Sequence, residues 1–309
     1  GPIIARRFKR EDWLPAQHAF YAASKAAGFP DGSDQNNPDV SGIGPTPYNN
    51  LDGVRWSTNL GYLSLSRHRL NLTLRPNCLV HRVLFEGDRA VGVEVESGGE
   101  KFTVHGDEII LSAGAVASPQ LLMLSGVGPV DHLRDFGIPV VKDSPGVGQN
   151  LRDHPVVWVT WKTKEGFPLD TLWPRNQLVL RYTATGSELR NDMHIHMDSP
   201  ASKRADPGGD PMKPLGIICM FIVLDLALGS GELRLTSTDP NVQPFLNFNY
   251  FSEPFDRERM RDGVRRGIEL AKHSAIQDFI EERIDLLDSD LESDDALDEF
   301  LYREVSTSQ

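Results

Sequence analysis

Two short segments of the sequence carry residues whose type and spacing could do chemistry. The first is the junction at residues 109–128, where an apolar run passes through Ala113 and Gly114 into a helical pattern. Small residues let a ligand approach the backbone, and a helix N-terminus offers unpaired N–H groups and a partial positive charge. Tight packing of a strand against a helix would produce the same pattern, so the residues alone leave both interpretations open.

The second segment is Met193–Met197, which contains His194 and His196. Alternation along a strand puts both imidazoles on one face of a sheet. Two histidines at this spacing could bind a metal, but no cysteine or carboxylate cluster accompanies them with ligand spacing, so we predict no metal site. A satisfied structural histidine is one interpretation of His196.

The elements that must position these residues form a mixed α/β pattern. Residues 72–105 predict a three-stranded meander with turns at Gly87-Asp88 and 97–99, followed by a buried strand at 109–111. Ser118 as N-cap and Pro119 at the first helical position predict the start of the next helix. Residues 30–53, which are rich in Gly, Pro, Asn and Asp, predict a long loop.

From about residue 155 the pattern changes to one of strands with few helices between them. Alternating or continuous apolar segments predict a mostly antiparallel sheet. These strand-like segments are VVWVTWK, QLVLRYTA, DMHIHMD, GIICMFIVLD and GELRLTS. Apolar residues at helical spacing predict helices at 11–27, 255–273 and 293–304, the last with Ser293 as its cap.

Composition limits the classes of partner and location. The chain has 309 residues with 32 Lys+Arg against 44 Asp+Glu, and this acidic balance disfavours a nucleic-acid partner. No apolar run reaches the roughly 18 residues of a membrane span. Two cysteines are too few for a disulfide framework and indicate a reducing compartment, so we expect a cytoplasmic location. The sequence does not indicate an oligomeric state.

The order of residues in the first segment matches a known signature. Gly114-Ala115-x-x-Ser118-Pro119-x-Leu121-Leu122-x-x-Ser125-Gly126-Val127-Gly128 resembles the second signature of the glucose–methanol–choline (GMC) flavin oxidoreductases. Gly148-x-Asn150-Leu151-x-Asp153-His154 follows at the distance usual for that family. The segments at 55–63, 71–80 and 244–250 are also similar to family segments, and the resemblance is strongest to bacterial alcohol and choline dehydrogenase-like members.

The resemblance implies a cofactor, a fold and candidate residues. It implies an incomplete FAD-binding domain at 1–154 and a substrate-binding domain at 155–309 with an antiparallel sheet flanked by helices. Val80 occupies the position expected to meet the FAD adenine through its backbone, and Ala113 and Gly114 resemble the residues beside its ADP half. By the same resemblance His196 is a candidate substrate-lining residue. Tyr48 and Arg55 are further candidates.

The activity that the resemblance implies is the oxidation of a small alcohol. In the family a neutral imidazole takes the hydroxyl proton while hydride passes to flavin N5. Asp153 and His154 resemble hydrogen-bonding groups that link segments rather than catalytic groups.

Two family features are not found in the sequence. No Gly-x-Gly-x-x-Gly turn for the FAD pyrophosphate occurs, and the catalytic histidine is expected beyond Gln309, so no catalytic residue is assigned on this chain. We therefore expect a fragment from the middle of a family member, inactive alone and with weak or absent FAD binding. The alternatives are a non-catalytic or split-gene subunit whose partner supplies the dinucleotide fold, and a hydroxynitrile lyase-like protein.

Overall fold

The computed structural model describes residues 1–169, 176–198 and 216–308, and the chain divides into two compact units. We call the unit formed by Gly1–His68, Asp153–Leu228 and Phe251–Gln309 the sheet unit. We call the unit formed by Arg69–Arg152 and Gly229–Tyr250 the meander unit. The sequence predicts a single boundary after residue 154, whereas the compact units alternate along the chain because long-range contacts decide which segments pack together.

The helices and strands of the described residues are numbered in chain order. The α-helices are α1 Pro15–Ala26, α2 Gly114–Leu124, α3 Val130–Asp135, α4 Pro254–Ala271, α5 Ser274–Gln277 and α6 Asp294–Glu304. The strands are β1 Gly42–Pro45, β2 Asn50–Leu51, β3 Val54–Arg55, β4 Leu79–Glu86, β5 Arg89–Ser97, β6 Glu100–His105, β7 Val127–Gly128, β8 Lys142–Asp143, β9 Gln149–Leu151, β10 Pro155–Thr163, β11 Leu178–Tyr182, β12 Met193–Asp198, β13 Ile217–Leu224, β14 Gly231–Arg234, β15 Phe245–Asn247, β16 Ile280–Arg283 and β17 Ser306–Thr307.

An antiparallel sheet forms the centre of the sheet unit. Its strand order is β1-β11-β12-β13-β10-β16, and β17 also pairs with β10. Helix α4 packs closely on one face, since a Cβ added at Gly263 would lie 2.7 Å from both Ile222 and Met193. Met193 therefore faces the helix, and alternation turns His194 and His196 to the opposite face.

The face that carries the two histidines is otherwise mostly apolar. His194 is paired in register with Val223 and His196 with Phe221 on β13. Val223 belongs to a buried cluster with Val156, Trp158 and Cys219, against which Phe221 packs. The predicted antiparallel sheet is confirmed, and the two imidazoles are polar groups set into an apolar surface.

The meander unit contains the predicted three-stranded meander β4-β5-β6, whose two strand pairs are antiparallel. Helix α2 packs on β4. A small core of Met123, Leu133, Leu233 and Leu235 joins α2 and α3 to β14. The predicted strand segment GELRLTS contains β14 in its first four residues, but β14 pairs with β9 and β15 in a separate sheet.

Three local predictions differ from the structure. The predicted strand at 109–111 is wrong: these residues are irregular and Ile110 is 77% exposed, since no described strand pairs with them. The predicted loop at 30–53 contains β1, which pairs with β11 at the sheet edge. Both errors arise because a strand is defined by its partner, and the partner is distant in sequence.

The start of α2 is the third difference. The helix begins at Gly114 rather than after Ser118, and Pro119 lies inside it. Alanines at 115 and 117 are strong helix formers, and their propensity extends the helix ahead of the proline. Ser118 does act locally, but its Oγ accepts the N–H of Ala113 at 3.1 Å instead of capping a later turn.

None of the helices among the described residues combines the length and apolar character required to cross a membrane.

Candidate functional site

The candidate cofactor residues all lie in the meander unit. Val80 is half-buried in β4, opposite Val95 and directly before a register shift between Val80 and Arg82. Ala113 and Gly114 lie at the N-terminus of α2, and both are exposed. The structure therefore places Val80 and the small residues on two elements, β4 and α2, that pack on each other.

The glycines of the signature segment and of the motif that follows it are required for different physical reasons. A Cβ at Gly126 would lie 2.3 Å from the Pro139 carbonyl oxygen, and one at Gly148 would lie 2.3 Å from the Leu233 carbonyl oxygen. These positions need glycine for packing. Gly114 also has a left-handed φ, +87°, but a Cβ there would meet nothing within 4 Å. The open space at Gly114 leaves the backbone accessible to a ligand, so this position fits the ligand interpretation of the segment.

The N-terminus of α2 borders a cleft of about 400 Å³. Ala115, Ser118, Pro119 and Leu122 line it from the helix, and residues 146–152 and Leu233 complete it. The first N–H groups of a helix lack intrahelical partners and favour an anionic group. The exposed turn and the cleft beside it fit the anionic half of a dinucleotide such as FAD.

A buried serine fixes the other end of α2. Ser125 Oγ accepts the N–H of Val83 on β4 at 2.8 Å and donates to the Leu121 carbonyl oxygen at 2.6 Å. The serine thereby holds helix and meander together, which sets the position of α2 relative to β4. Ser125 in the signature is a structural residue in this fold.

The candidate substrate residue His196 lies on β12 of the sheet unit. Its Nδ1 is 3.1 Å from the Leu178 carbonyl oxygen, so Nδ1 carries the proton and donates. Burial, with a smaller contribution from His194, lowers the pKa of His196 to about 3. The imidazole is therefore neutral near pH 7, and its Nε2 is a hydrogen-bond acceptor.

His194 has a carboxylate partner. Its Nδ1 lies 2.8 Å from both carboxylate oxygens of Asp225, the residue that follows β13. His154, just before β10, places its Nδ1 3.9 Å from the same carboxylate. The rings of His194 and His196 are 4.7 Å apart between centroids and inclined at 75°. Three neighbouring strands, with the residues directly beside them, thus hold a group of three imidazoles and one carboxylate.

Asp153 and His154 both make hydrogen bonds to a distant segment of the chain. The Asp153 carboxylate is hydrogen-bonded to the Thr307 hydroxyl, and the His154 carbonyl oxygen accepts the N–H of Ser308 at 3.2 Å. These contacts hold β17 beside β10. The sequence identified both residues by their place in a motif, whereas Asp225 had only the signal of a carboxylate directly after an apolar strand and was not singled out.

The two further candidates lie elsewhere in the sheet unit. The Tyr48 hydroxyl contacts both the backbone oxygen and the side-chain oxygen of Asn176, and burial raises its pKa well above the ordinary value. Arg55 is exposed in the hairpin of β2 and β3, opposite Asn50. No contact among the described residues joins either side chain to His196, so their substrate role stays a prediction. Over the same residues, no group of three His, Cys, Asp or Glu side chains could hold a metal ion.

Comparison with family models gives two matches, both described as GMC oxidoreductase. The N-terminal model matches residues 3–156 and the C-terminal model matches residues 228–309. The two matches together cover most of the chain, and they include the signature segment, α2 and the C-terminal helices. The predicted resemblance is confirmed.

Curated relatives share this description. The chain is 36% identical over 273 residues to an uncharacterized GMC-type oxidoreductase of Rhodococcus erythropolis, covering 86% of this chain and 51% of that protein. It is 32% identical over 322 aligned positions to an oxygen-dependent choline dehydrogenase of Burkholderia pseudomallei, covering 95% of this chain and 56% of the relative. The chain thus spans about half the length of the curated relatives it matches.

Solved structures confirm the fold. A pyridoxine 4-oxidase from Mesorbium loti superimposes with a TM-score of 0.88 at 23% identity, over all of this chain and 60% of the other. A formate oxidase gives a TM-score of 0.86 at 22% identity, over all of this chain and 62% of the other. The predicted mixed α/β architecture with an antiparallel sheet is shared with these oxidases.

Proposed function

The chain belongs to the GMC oxidoreductase family, and from this premise we propose that it serves the FAD-dependent oxidation of a CH–OH group in a small alcohol. The observation that carries the proposal is the N-terminus of α2. Gly114 is exposed there, has a left-handed φ, and leaves open the space in which a side chain would stand. A signature glycine whose neighbourhood is empty supports contact with a cofactor, because packing does not require it.

The residues of the meander unit would bind the cofactor. Gly114 and the first turn of α2 offer backbone N–H groups to an anionic group, and the β4 backbone at Val80 would meet the adenine. When bound, the flavin supplies the hydride acceptor of the reaction.

The residues of the sheet unit would hold the substrate. His196 is neutral and offers an acceptor Nε2 to a substrate hydroxyl. The apolar residues around the histidines, among them Phe221 and Trp158, would exclude water from the substrate.

We propose further that the 309 residues alone bind FAD weakly and do not turn over, as expected from a sequence without a Gly-x-Gly-x-x-Gly turn. Titration of the purified chain with FAD, followed by quenching of flavin fluorescence, should give no stable complex at micromolar concentrations. A stable yellow one-to-one complex would contradict this part of the proposal and leave the family assignment unaffected.

The function itself is tested on the protein expressed from the complete reading frame. Alcohols added under anaerobic conditions should bleach the flavin absorbance. Choline is the first alcohol to test, because one relative is named a choline dehydrogenase. In that protein Gly114→Ala should weaken FAD binding at least tenfold. Gly137→Ala is the matched control, since Gly137 has a similar φ of +66° and equally open surroundings. A flavin that no alcohol bleaches, or equal effects of both variants, would overturn the proposal.

A further inference from the structure

We propose that Asp225 is a positioning residue for His194, and that His194 and His196 together form a two-acceptor site for a substrate with proton donors on neighbouring atoms, such as a vicinal diol or an amino alcohol. This inference rests on the proposed function, because it names the substrate class of the same sheet face.

Asp225 fixes which nitrogen of His194 carries the proton. A carboxylate only accepts hydrogen bonds, and both of its oxygens lie 2.8 Å from Nδ1, so Nδ1 must be the protonated nitrogen. The side chains of His194 and Asp225 are 20% and 22% exposed, which protects the pair from competing water. With Nδ1 held by Asp225, Nε2 is the nitrogen of His194 left to face a ligand.

His196 also carries its proton on Nδ1, but a different acceptor holds it there. Its Nδ1–H is taken by the Leu178 carbonyl oxygen on β11, on the other side of β12 from Asp225. Each ring is thus held at Nδ1 from an opposite direction, and each keeps Nε2 as its remaining polar atom. The ring centroids lie 4.7 Å apart, a separation that one small molecule with two adjacent donors can span.

The other charged groups near His194 and His196 bind elsewhere and do not donate to the two Nε2 atoms. Arg181, the register partner of His194 on β11, gives its guanidinium to the backbone oxygens of Gln35, Asn37 and Val40. His154 shares the Asp225 carboxylate at 3.9 Å. A ligand with a single donor would leave one acceptor of the pair unpaired on a largely apolar face, which is unfavourable. A ligand with two adjacent donors satisfies both.

The tautomers can be read directly by NMR of the 309-residue chain with ¹⁵N-labelled histidine. At mildly alkaline pH, His194 and His196 should both carry the proton on Nδ1. Asp225→Leu should move His194 toward the Nε2–H form and leave His196 unchanged. Asp225→Asn should restore the Nδ1–H form, since the amide oxygen still accepts. An Nε2–H tautomer of His194 in the unsubstituted chain would overturn the inference without any variant.

Binding is tested in the same samples with ethylene glycol against ethanol, and ethanolamine against ethylamine. The diol and the amino alcohol should shift both Nε2 resonances, and the monofunctional compounds should bind at least twofold more weakly. Asp225→Leu should weaken diol binding roughly two- to tenfold, the range of one lost hydrogen bond. Asp262→Asn, which changes a carboxylate bonded to Arg266, is the matched control and should change neither the tautomers nor the binding.

Equal affinity for ethylene glycol and ethanol, or diol binding unchanged by Asp225→Leu, would overturn the inference. Neither readout uses flavin or turnover. Failure of the proposed oxidation would therefore appear as an unbleached flavin with the predicted tautomers intact. Failure of this inference would appear as a flavin that alcohols bleach, with tautomers or diol binding that differ from the prediction.

Discussion

At the scale of single residues, the most informative side chain is the neutral imidazole of His196. Its pKa is lowered to about 3 chiefly because the ring is buried, and the hydrogen bond to the Leu178 carbonyl oxygen offsets little of this. In the unfolded chain the same imidazole has its ordinary pKa of 6.5. Between about pH 3 and pH 6.5 this imidazole is therefore neutral in the folded state and protonated in the unfolded state.

This difference predicts a stability loss on acidification. Because the folded pKa lies below the unfolded one, the contribution of His196 is fully present above pH 6.5 and is lost as the pH falls toward 3. Between pH 6.5 and about pH 5 the loss is about 1.5 kcal/mol. Urea unfolding at several pH values should show this loss in the unsubstituted chain and in the control His18→Gln, whose ring is exposed on α1. The loss should be absent in His196→Gln. An equal dependence of the unfolding free energy on pH in all three proteins would contradict the lowered pKa of His196.

At the scale of elements, the segment from α2 to β9 shows how glycines position a helix. Gly126 lets the chain that follows α2 pass beside Pro139, and Gly148 lets the loop before β9 pass beside β14. Gly114 lies at the opposite end of α2, where nothing approaches. The same residue type therefore fixes the packing of α2 at one end and leaves it accessible at the other.

Replacing these glycines by alanine should separate backbone strain from steric clash. Gly114→Ala should cost about 1–2 kcal/mol for its positive φ alone. Gly126→Ala adds a clash with a backbone oxygen that cannot move aside, so we expect a further loss of roughly 1–3 kcal/mol. The free energies of unfolding of the unsubstituted protein and of the two variants, measured in urea, give both effects. A Gly126→Ala protein as stable as Gly114→Ala would show that the loop at Pro139 yields easily.

At the scale of the whole molecule, a buried ion-pair network connects two of the three segments of the sheet unit. The Arg259 guanidinium of α4 lies 3.0 Å from Asp192, before β12, and 2.6 Å from Asp256, and it donates to the Leu226 carbonyl oxygen after β13. The Asp192 carbonyl oxygen also accepts the N–H of Asp225 at 2.8 Å. The network that anchors α4 to the sheet therefore also supports the residue that holds His194.

Breaking this network should destabilise the protein strongly. Arg259→Leu leaves two buried carboxylates without their shared cation, and removal of one partner of a buried pair costs about 3–5 kcal/mol. The exposed Arg265, paired with Asp294, is the control on the same helix, and Arg265→Leu should cost about 0–1 kcal/mol. Urea denaturation measures both. Similar losses for the two variants would mean that the buried pair contributes no more than a surface one.

Much of the local structure follows from the sequence. Alternation predicted β10 to β14, and apolar spacing with Ser293 as cap predicted α6, where the Ser293 hydroxyl accepts the N–H of Ala296. These features depend on residues within one turn or one strand, so nearby side chains determine them. The order of the residues at 114–128 also determined the family, because a motif is a property of the chain itself.

Only the tertiary structure decided the features that depend on distant partners. It showed that residues 42–45 form a strand because β11 lies beside them, and that 109–111 do not form one because no described strand does. It brought Asp225 to His194 across 31 positions and separated Gly114, with open surroundings, from Gly126. Hydrogen bonds and close backbone contacts between distant segments are set by packing, and no local pattern of residue types encodes them.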